Sequence, residues 1–391
     1  MPNSKQTKSQ QAKKPSSLLD KKVLSRIAEH AVGWFSKHSR DLPWRKTKNA
    51  YRIWISECML QQTQVATVIP YYERFLERFP DVSTLAAAEL DEVYQLWAGL
   101  GYYRRARQLH SAAIRVVESG QEPFPTDRDA IAKLPGIGRY TANAIASFAY
   151  DQPFGIVEAN TQRLYARLML CKEPLSQTAM QAKLWEFAQA LVEAWPVSPG
   201  QLNQSLMEIG SLVCKPKDPQ CQACPLQSHC QAYQTGQTST IPASKPKKLI
   251  TDLREIGLLV RDSKGRWLMR RRSPTERWSG LWDFPRYDCT SIESESLAIE
   301  HALKEFDRIY GKSLWVRSEC LSVKHSVTRY RILLRCFEAR LEGAKTISTK
   351  GKLAQHEQFD WYKVEELESL ALSSSARKVA DWLTKQAAGE N

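Results

Sequence analysis

Apolar residues recur at helical spacing through most of the first half of the chain. Between residues 18 and 36, Val23, Ile27, Ala31 and Phe35 would share one side of a helix. The same spacing predicts helices at 65–78, 90–98, 103–117, 164–170, 180–195 and 202–213. Because no strand pattern lies between them, we expect an all-α domain that ends near residue 230.

The pattern changes after about residue 250. Two strands around an Asp-Ser-Lys-Gly turn are predicted within 255–270, a third strand at 330–337, and a helix at 297–310. The first residues are polar and basic, and the segment before the strands has linker composition. We therefore predict a multidomain chain, divided into a disordered basic tail (1–17), an all-α domain (18–235), a linker (236–250) and an α+β domain (251–391).

One predicted helix begins at Tyr51 and carries an acidic residue among apolar ones. Glu57 has Ile53 one turn before it and Leu60 one turn after it, and the other face of the helix is apolar too. A buried carboxyl has a raised pKa and can hold a proton near neutral pH, which a general acid requires. Glu57 is therefore a candidate general acid, with a surface glutamate or a structural ion pair as the alternative.

The segment Leu134-Pro135-Gly136-Ile137-Gly138 predicts a tight turn between two helices. Pro135 cannot continue the preceding helix, and the two glycines permit positive φ and close approach of the backbone. The next helix would begin near Arg139, with the positive end of its dipole beside the amides of the turn. Such a hairpin can bind a phosphate without reading a base, although an ordinary helix connection would look similar.

Charge indicates an anionic partner. The 391 residues include 56 Lys and Arg against 42 Asp and Glu, which gives a formal net charge of +14. No apolar run reaches the roughly 20 residues of a membrane-spanning helix. We therefore expect a nucleic-acid protein with no membrane association, although a merely solvated basic surface would have the same charge.

Four of the nine cysteines lie close together, as Cys214, Cys221, Cys224 and Cys230. The cysteines of a secreted disulfide framework would not be distributed so unevenly along the chain, so we expect a reducing compartment. A single Cys-x2-Cys followed at once by Pro225 favours a 4Fe-4S cluster over structural zinc, which stays the alternative.

Together these motifs resemble the MutY family of adenine DNA glycosylases, within the helix-hairpin-helix superfamily. The similar stretches are residues 55–70 (Ile-Ser-Glu-Cys-Met-Leu-Gln-Gln-Thr-Gln-Val-Ala-Thr-Val-Ile-Pro), residues 96–103 (Leu-Trp-Ala-Gly-Leu-Gly-Tyr-Tyr), the Leu-Pro-Gly-Ile-Gly hairpin and the four-cysteine loop. The resemblance covers about residues 20–235 and, more weakly, 250–385. It implies removal of adenine mispaired with 8-oxoguanine or guanine, by flipping the base out and hydrolysing its N-glycosidic bond.

The resemblance also implies catalytic roles. Glu57 would protonate the departing adenine and activate water, and Glu158 would take the place of the aspartate in the family's Val-Asp-Gly-Asn stretch. Tyr140 stands where the related bifunctional endonuclease III has a lysine that forms a Schiff base. A tyrosine cannot form one, so a monofunctional glycosylase is expected.

The same matching implies contacts with DNA. Arg40, Leu42, Trp44 and Glu208 would line the adenine pocket. Gln62, Thr63 and Leu100 would enter the base stack near the opposite base, and Gly136 and Gly138 would hold the backbone.

The second domain resembles a Nudix fold, since residues 278–285 include its Gly-Leu-Trp-x-Phe-Pro stretch. A Nudix pyrophosphatase holds magnesium with paired glutamates, which Arg308 and Ile309 replace here, so we expect lesion recognition instead of hydrolysis. In the family a Phe-Ser-His loop inspects 8-oxoguanine. The matching residues are 327–329, Val-Thr-Arg, in which Thr328 keeps a hydroxyl for the lesion.

Two other functions stay open at this point. One is a glycosylase for another mismatch, such as thymine opposite guanine, and the other is a lesion-binding protein that lost its chemistry when glutamate replaced aspartate. We expect a monomer that acts in the cytoplasm of a bacterium, or otherwise in a nucleus.

Overall fold

The computed structural model of the protein describes residues 20–243, 249–343, 347 and 358–389. The predicted tail, 1–17, lies outside the described residues, as do residues 244–248 of the predicted linker.

Helices make up the regular structure of residues 20–243, and no strand occurs within that range. Asp20 caps the first helix by accepting a hydrogen bond from the N–H of Lys22. The helices are α1 (Lys21–His38), α2 (Ala50–Leu60), α3 (Val65–Arg78), α4 (Val82–Ala86), α5 (Leu90–Trp97), α6 (Arg104–Glu118), α7 (Arg128–Ala132), α8 (Arg139–Tyr150), α9 (Ala159–Leu168), α10 (Thr178–Ala194), α11 (Pro199–Leu212) and α12 (Gln231–Gln234). The predicted all-α character of this part is confirmed.

The remaining described residues form a mixed sheet with two helices, which confirms the predicted α+β class. The strands are β1 (Thr251–Arg261), β2 (Trp267–Arg271), β3 (Trp282–Asp283), β4 (Arg286–Asp288), β5 (Leu314–Val327), β6 (Tyr330–Leu341) and β7 (Phe359–Tyr362), and the helices are α13 (Glu295–Tyr310) and α14 (Ser374–Ala387). The main strand order is β3-β2-β1-β6-β5, with β4 paired to β1 and β7 to β2. Apolar side chains of α13 pack in one core with the sheet and those of α14 in another.

Strand β5 was not predicted, although it is the longest strand among the described residues. Only two of its 14 residues are buried, and its register with β6 shifts between Val316 and Leu321. Alternation of apolar and polar residues is therefore lost, and that alternation is the signal on which a strand prediction depends.

The chain divides into two compact units, and each unit is built from two segments that are separated in the sequence. One unit contains Met1–Glu57 with Phe124–Lys245, and the other contains Cys58–Pro123 with Pro246–Asn391. In the second unit, Tyr103 Oη donates to the carbonyl of Leu372 at 3.2 Å, and Arg107 donates to Ser279 Oγ at 3.0 Å. The predicted domain limits, 18–235 and 251–391, stay a prediction.

Helix α11 passes very close to two neighbours in the first unit. A Cβ at Gly200 would lie 2.3 Å from the carbonyl oxygen of Ser147 in α8. A Cβ at Gly210 would lie 2.9 Å from Asn160 in α9. The backbones therefore meet where a side chain would not fit.

We expect Gly200→Ala to destabilise the protein by at least about 2 kcal/mol, because the backbone of α8 cannot move aside cheaply. Gly33 in α1 has no atom within 4 Å of an added Cβ, so Gly33→Ala should stabilise the protein by up to about 1 kcal/mol. Chemical denaturation of both variants checks this, and equal effects would contradict the close approach.

Candidate active site

Glu57 lies on α2 with its side chain in the protein interior. Only 4% of the residue is exposed, and Ile53 and Met59 on the same helix are buried as well. Tyr140, in the first turn of α8, donates its phenolic hydrogen to Glu57 Oε2 at 2.5 Å. Burial and the charges of Glu57 and Glu158 raise the pKa of Tyr140 well above its ordinary value, so the phenol keeps its proton.

The pKa of Glu57 is raised to about 7. Burial is the largest cause, and the charge of Glu158 adds to it, while the hydrogen bond from Tyr140 and the charge of Arg45 oppose it. The predicted rise in pKa is therefore present in the structure, and the carboxyl can gain or lose a proton near neutral pH.

Glu158 is held as the N-cap of α9. Its Oε1 accepts a hydrogen bond from the N–H of Thr161 at 2.8 Å, and Thr161 Oγ1 accepts one from the N–H of Glu158 at 2.8 Å. This is a reciprocal capping box. Burial raises the pKa of Glu158, and the N–H groups of Asn160 and Thr161 and the charge of Arg163 oppose that rise. Thr161 was missed in the sequence, because the usual capping-box pattern has Ser or Thr first and Glu three residues later, and here that order is reversed.

Glu208, on α11, is 1% exposed and binds two guanidinium groups. Arg40 donates to both oxygens, at 2.9 and 2.6 Å, and so does Arg45, at 3.0 and 2.8 Å. Burial alone would raise the pKa of Glu208, but these hydrogen bonds outweigh it and lower the pKa to about 2. Leu42 and Trp44, in the same loop, are buried. Arg45 was missed because nothing in its local sequence indicates a partner 163 residues away.

The glycine hairpin joins α7 to α8. Gly136 has a φ of +77°, as predicted, whereas Gly138 has a φ of −92° and does not need the left-handed region. Gly138 is the N-cap of α8, and no side chain caps the helix there. Both glycines are exposed, and an added Cβ at Gly138 would meet no atom within 4 Å.

The four clustered cysteines line one cavity, together with Leu164 and Arg167 of α9. Their thiols are free, and no group of three side chains in the described residues converges tightly enough to hold a single metal ion. Burial raises the pKa of the Cys224 thiol to about 12, and the charges of the other three cysteines add to the rise. The four cysteines therefore share one cavity.

Helix α9 contacts both the cysteine loop and the candidate site. Arg163 donates to the carbonyl of Cys214 at 2.7 Å and to Asn160 Oδ1 at 3.0 Å. Arg167, which is 2% exposed, donates to Cys214 Sγ at 3.2 Å. Glu158 caps the opposite end of the same helix, and neither arginine was singled out in the sequence.

Gln62, Thr63 and Leu100 belong to the other unit. The buried Arg105 of α6 holds their two loops, because it donates to Thr63 Oγ1 and to the carbonyl of Leu100, each at 3.3 Å. It also donates to the carbonyl of Gln61 at 2.6 Å. Gln62 has a φ of +59°, and Arg105 is a further residue that the sequence did not indicate.

Thr328 lies in the two-residue turn between β5 and β6, where Val327 pairs with Tyr330. It is exposed and has a φ of +53°, a conformation that a β-branched residue rarely adopts. Arg329 donates to Tyr330 Oη at 3.0 Å. On α13, Arg308 forms an ion pair with Glu305 at 2.7 Å.

Comparison with known proteins matches both parts of the chain. Residues 55–190 match the HhH-GPD superfamily of base excision DNA repair proteins, and residues 256–382 match the NUDIX domain. The adenine DNA glycosylase of Buchnera aphidicola subsp. Schizaphis graminum is 37% identical over 288 residues, which are 72% of this chain and 82% of that protein. The chain belongs to the adenine DNA glycosylase family.

Other similarities to this family and fold are partial. The adenine DNA glycosylase of Mus musculus is 42% identical over 267 residues, which are 65% of this chain but only 50% of the mouse protein. The chain thus spans about half the length of that relative. A solved structure of a thermostable thymine-DNA glycosylase is 26% identical, covers 55% of this chain and 100% of that one, and has a TM-score of 0.49. None of the helices in the described ranges is both long and apolar enough to cross a membrane.

The raised pKa of Glu57 makes stability depend on pH. Stabilisation by the protonated carboxyl is fully present below the unfolded pKa and is lost as the pH rises through about 7. We therefore expect Glu57→Gln to be more stable than the native protein above neutral pH, by up to about 3 kcal/mol, with the difference shrinking toward pH 4.

Denaturation with urea across this pH range measures the difference. A difference that does not change with pH would show that Glu57 is not desolvated. Glu29 in α1 is exposed, so Glu29→Gln is the matched control and should change stability little at any pH.

Proposed function

We propose that the protein is a monofunctional DNA glycosylase, which flips adenine out of a duplex and hydrolyses its N-glycosidic bond where adenine is mispaired with 8-oxoguanine or guanine. The observation that carries the proposal is the buried carboxyl of Glu57, which has a pKa of about 7. It accepts a hydrogen bond from Tyr140, and the charge of Glu158 raises its pKa. Membership of the family supports the same activity.

Glu57 acts as the acid and then as the base. At neutral pH a large fraction of the carboxyl is protonated, so it can transfer its proton to a ring nitrogen of adenine as the bond to the sugar breaks. The resulting carboxylate accepts a proton from water as that water attacks the sugar carbon. Tyr140 remains a neutral donor that stabilises the carboxylate, and a phenol provides no amine for a Schiff base.

Glu158 stabilises the positive charge that develops on the sugar. Its side chain is one methylene longer than the family's aspartate, and the capping box accommodates that length by folding the carboxylate back onto the N–H of Thr161. The carboxylate is therefore fixed at the beginning of α9 and not free to swing. Burial raises the pKa of Glu158, and the backbone N–H groups that bond its carboxylate oppose that rise.

The loop that contains Arg40, Leu42 and Trp44 lines the adenine pocket. Both oxygens of Glu208 already accept hydrogen bonds from Arg40 and Arg45, so Glu208 orients Arg40 toward the base. In this proposal Gln62, Thr63 and Leu100 enter the duplex, and Arg105 keeps their loops in place. The amides at Gly136 and Gly138 bind a phosphate, and Thr328 contacts the lesion.

We propose a 4Fe-4S cluster held by Cys214, Cys221, Cys224 and Cys230. A single zinc ion needs its four sulfurs at about 2.3 Å from one point, whereas an iron–sulfur cube separates them around a larger body. The four thiols line one cavity, and the single Cys-x2-Cys followed by Pro225 fits the cube better. When bound, the cluster supplies a structural centre for the cysteine loop, and Arg167 offers a hydrogen bond to one of its sulfur ligands.

Single-turnover release of adenine tests the activity. We expect the native protein to release adenine from duplexes with adenine opposite 8-oxoguanine and opposite guanine. Glu57→Gln should slow release by at least about 100-fold, because the proton donor is lost. Glu29→Gln, which removes an exposed carboxyl elsewhere, should leave the rate unchanged.

The same assay separates the alternatives. Release of thymine opposite guanine, with no release of adenine, would indicate a different mismatch specificity. Tight binding with no release from any duplex would indicate a lesion-binding protein, and recovery of release in Glu158→Asp would assign the loss to the longer side chain.

Iron and acid-labile sulfide analysis tests the cofactor. We expect about four of each per chain, and Cys224→Ser should lower both, because it removes one of four ligands. Cys171, a buried cysteine outside the cluster, gives the control Cys171→Ser, which should keep its iron. One zinc per chain without sulfide would contradict the cluster.

A further inference from the structure

Four side chains form a straight row across one end of the β-sheet. Trp267 of β2 lies opposite Arg261 of β1, Arg261 lies beside Arg340 of β6, and Arg340 lies opposite Trp315 of β5. Residues that pair directly on neighbouring strands point to the same face of a sheet. The Trp-Arg-Arg-Trp row therefore spans three strand spacings, or about 14 Å.

The row concentrates positive charge. Like charges directly opposite each other destabilise a sheet, and Arg261 and Arg340 are such a pair. Arg317 of β5 lines the same surface cavity as these two, with Glu338 as its one acidic residue. All three arginines are exposed, and none of them forms an ion pair with a carboxylate in the described residues.

Aromatic rings orient two of these arginines. The guanidinium of Arg261 lies 5.4 Å from the ring of Trp267, and that of Arg317 lies 5.7 Å from the ring of Trp315. Trp315 itself is 52% exposed, which is unusual for so large an apolar side chain. Guanidinium groups held against rings lose less entropy when they bind a ligand, and their forked donors match phosphate oxygens.

The row is far from the turn that contains Thr328. Arg340 lies ten residues along β6 from Tyr330, a distance of about 33 Å at the rise of an extended strand. Duplex DNA rises about 3.4 Å per base pair, so this distance corresponds to about ten base pairs.

We propose that Arg261 and Arg340 of the row, together with Arg317 and the exposed Trp315, form a second DNA-binding surface, which contacts the phosphate backbone about ten base pairs from the lesion. The net charge of three arginines and one glutamate, +2, complements the backbone. The inference rests on the proposed function, because it takes the same duplex as the ligand and places the Thr328 turn at the lesion.

Binding to two lengths of duplex tests this surface. In a Glu57→Gln background, affinity is measured by fluorescence anisotropy at several salt concentrations, with a central mispair in duplexes of about 12 and about 40 base pairs. The triple variant Arg261→Gln, Arg317→Gln, Arg340→Gln should lower the slope of log K against log salt by about two to three on the long duplex only. Lysine at the same three positions keeps the charge and should preserve most of the slope.

A control removes the same charge elsewhere. Arg78, Lys304 and Arg308 each face a carboxylate, so changing all three to glutamine should produce no effect that depends on duplex length. The proposal is overturned if the row variant matches this control, or if it weakens binding to both duplexes equally.

A separate measurement, adenine release from the short duplex, tests the proposed function. Adenine release from the short duplex, by a protein that keeps Glu57 but carries the triple glutamine change, does not depend on the row and should match the native rate. Loss of affinity on the long duplex with unchanged release on the short one supports both proposals. A protein that binds neither duplex contradicts both.

Discussion

The desolvated carboxyl of Glu57 is the constraint on which the candidate active site depends. A carboxylate in an apolar environment is unfavourable, so the group holds its proton to a higher pH than a glutamate in water does. Helix α2 creates that environment, because it is buried around nearly its whole circumference. Tyr140 then limits the rise, since its phenolic hydrogen stabilises the charged form. Burial and one hydrogen bond together place the pKa near 7, where the group can serve as both acid and base.

Three buried or partly buried glutamates of the same unit differ because their partners differ. Glu57 has one neutral donor, and its pKa is about 7. Glu208 has two guanidinium groups, and its pKa is about 2. Glu158 is bound by backbone N–H groups, which oppose the rise in its pKa that burial causes. The proposed function assigns these three carboxyl groups separate tasks, as proton carrier, charge stabiliser and anchor.

Buried and partly buried arginines hold the loops around the candidate sites in both units. Arg105 donates to carbonyls at the end of α2 and at Leu100, and Arg163 and Arg167 donate to the cysteine loop. Carbonyls at helix ends have no partner within the helix, so these guanidinium groups satisfy acceptors that would otherwise be buried alone. The arginines of the Trp-Arg-Arg-Trp row differ, because they point at solvent without carboxylate partners. That contrast is the reason to expect an external anion at the row.

The sequence by itself determined the helices of the first half, the turn at Gly136, the spacing of the four cysteines and the burial of Glu57. Each of these depends on residues within a few turns of one another, and periodicity reports such neighbours directly. Only the tertiary structure decided that Tyr140 bonds Glu57, that Arg45 shares Glu208 with Arg40, and that Arg105 joins two loops. The tertiary structure also decided that residues 314–327 form strand β5. Its hydrogen bonds with β6 make it a strand, although its sequence lacks the alternation of apolar and polar residues. These partners lie far apart along the chain, so packing brings them together and no local pattern records the contact.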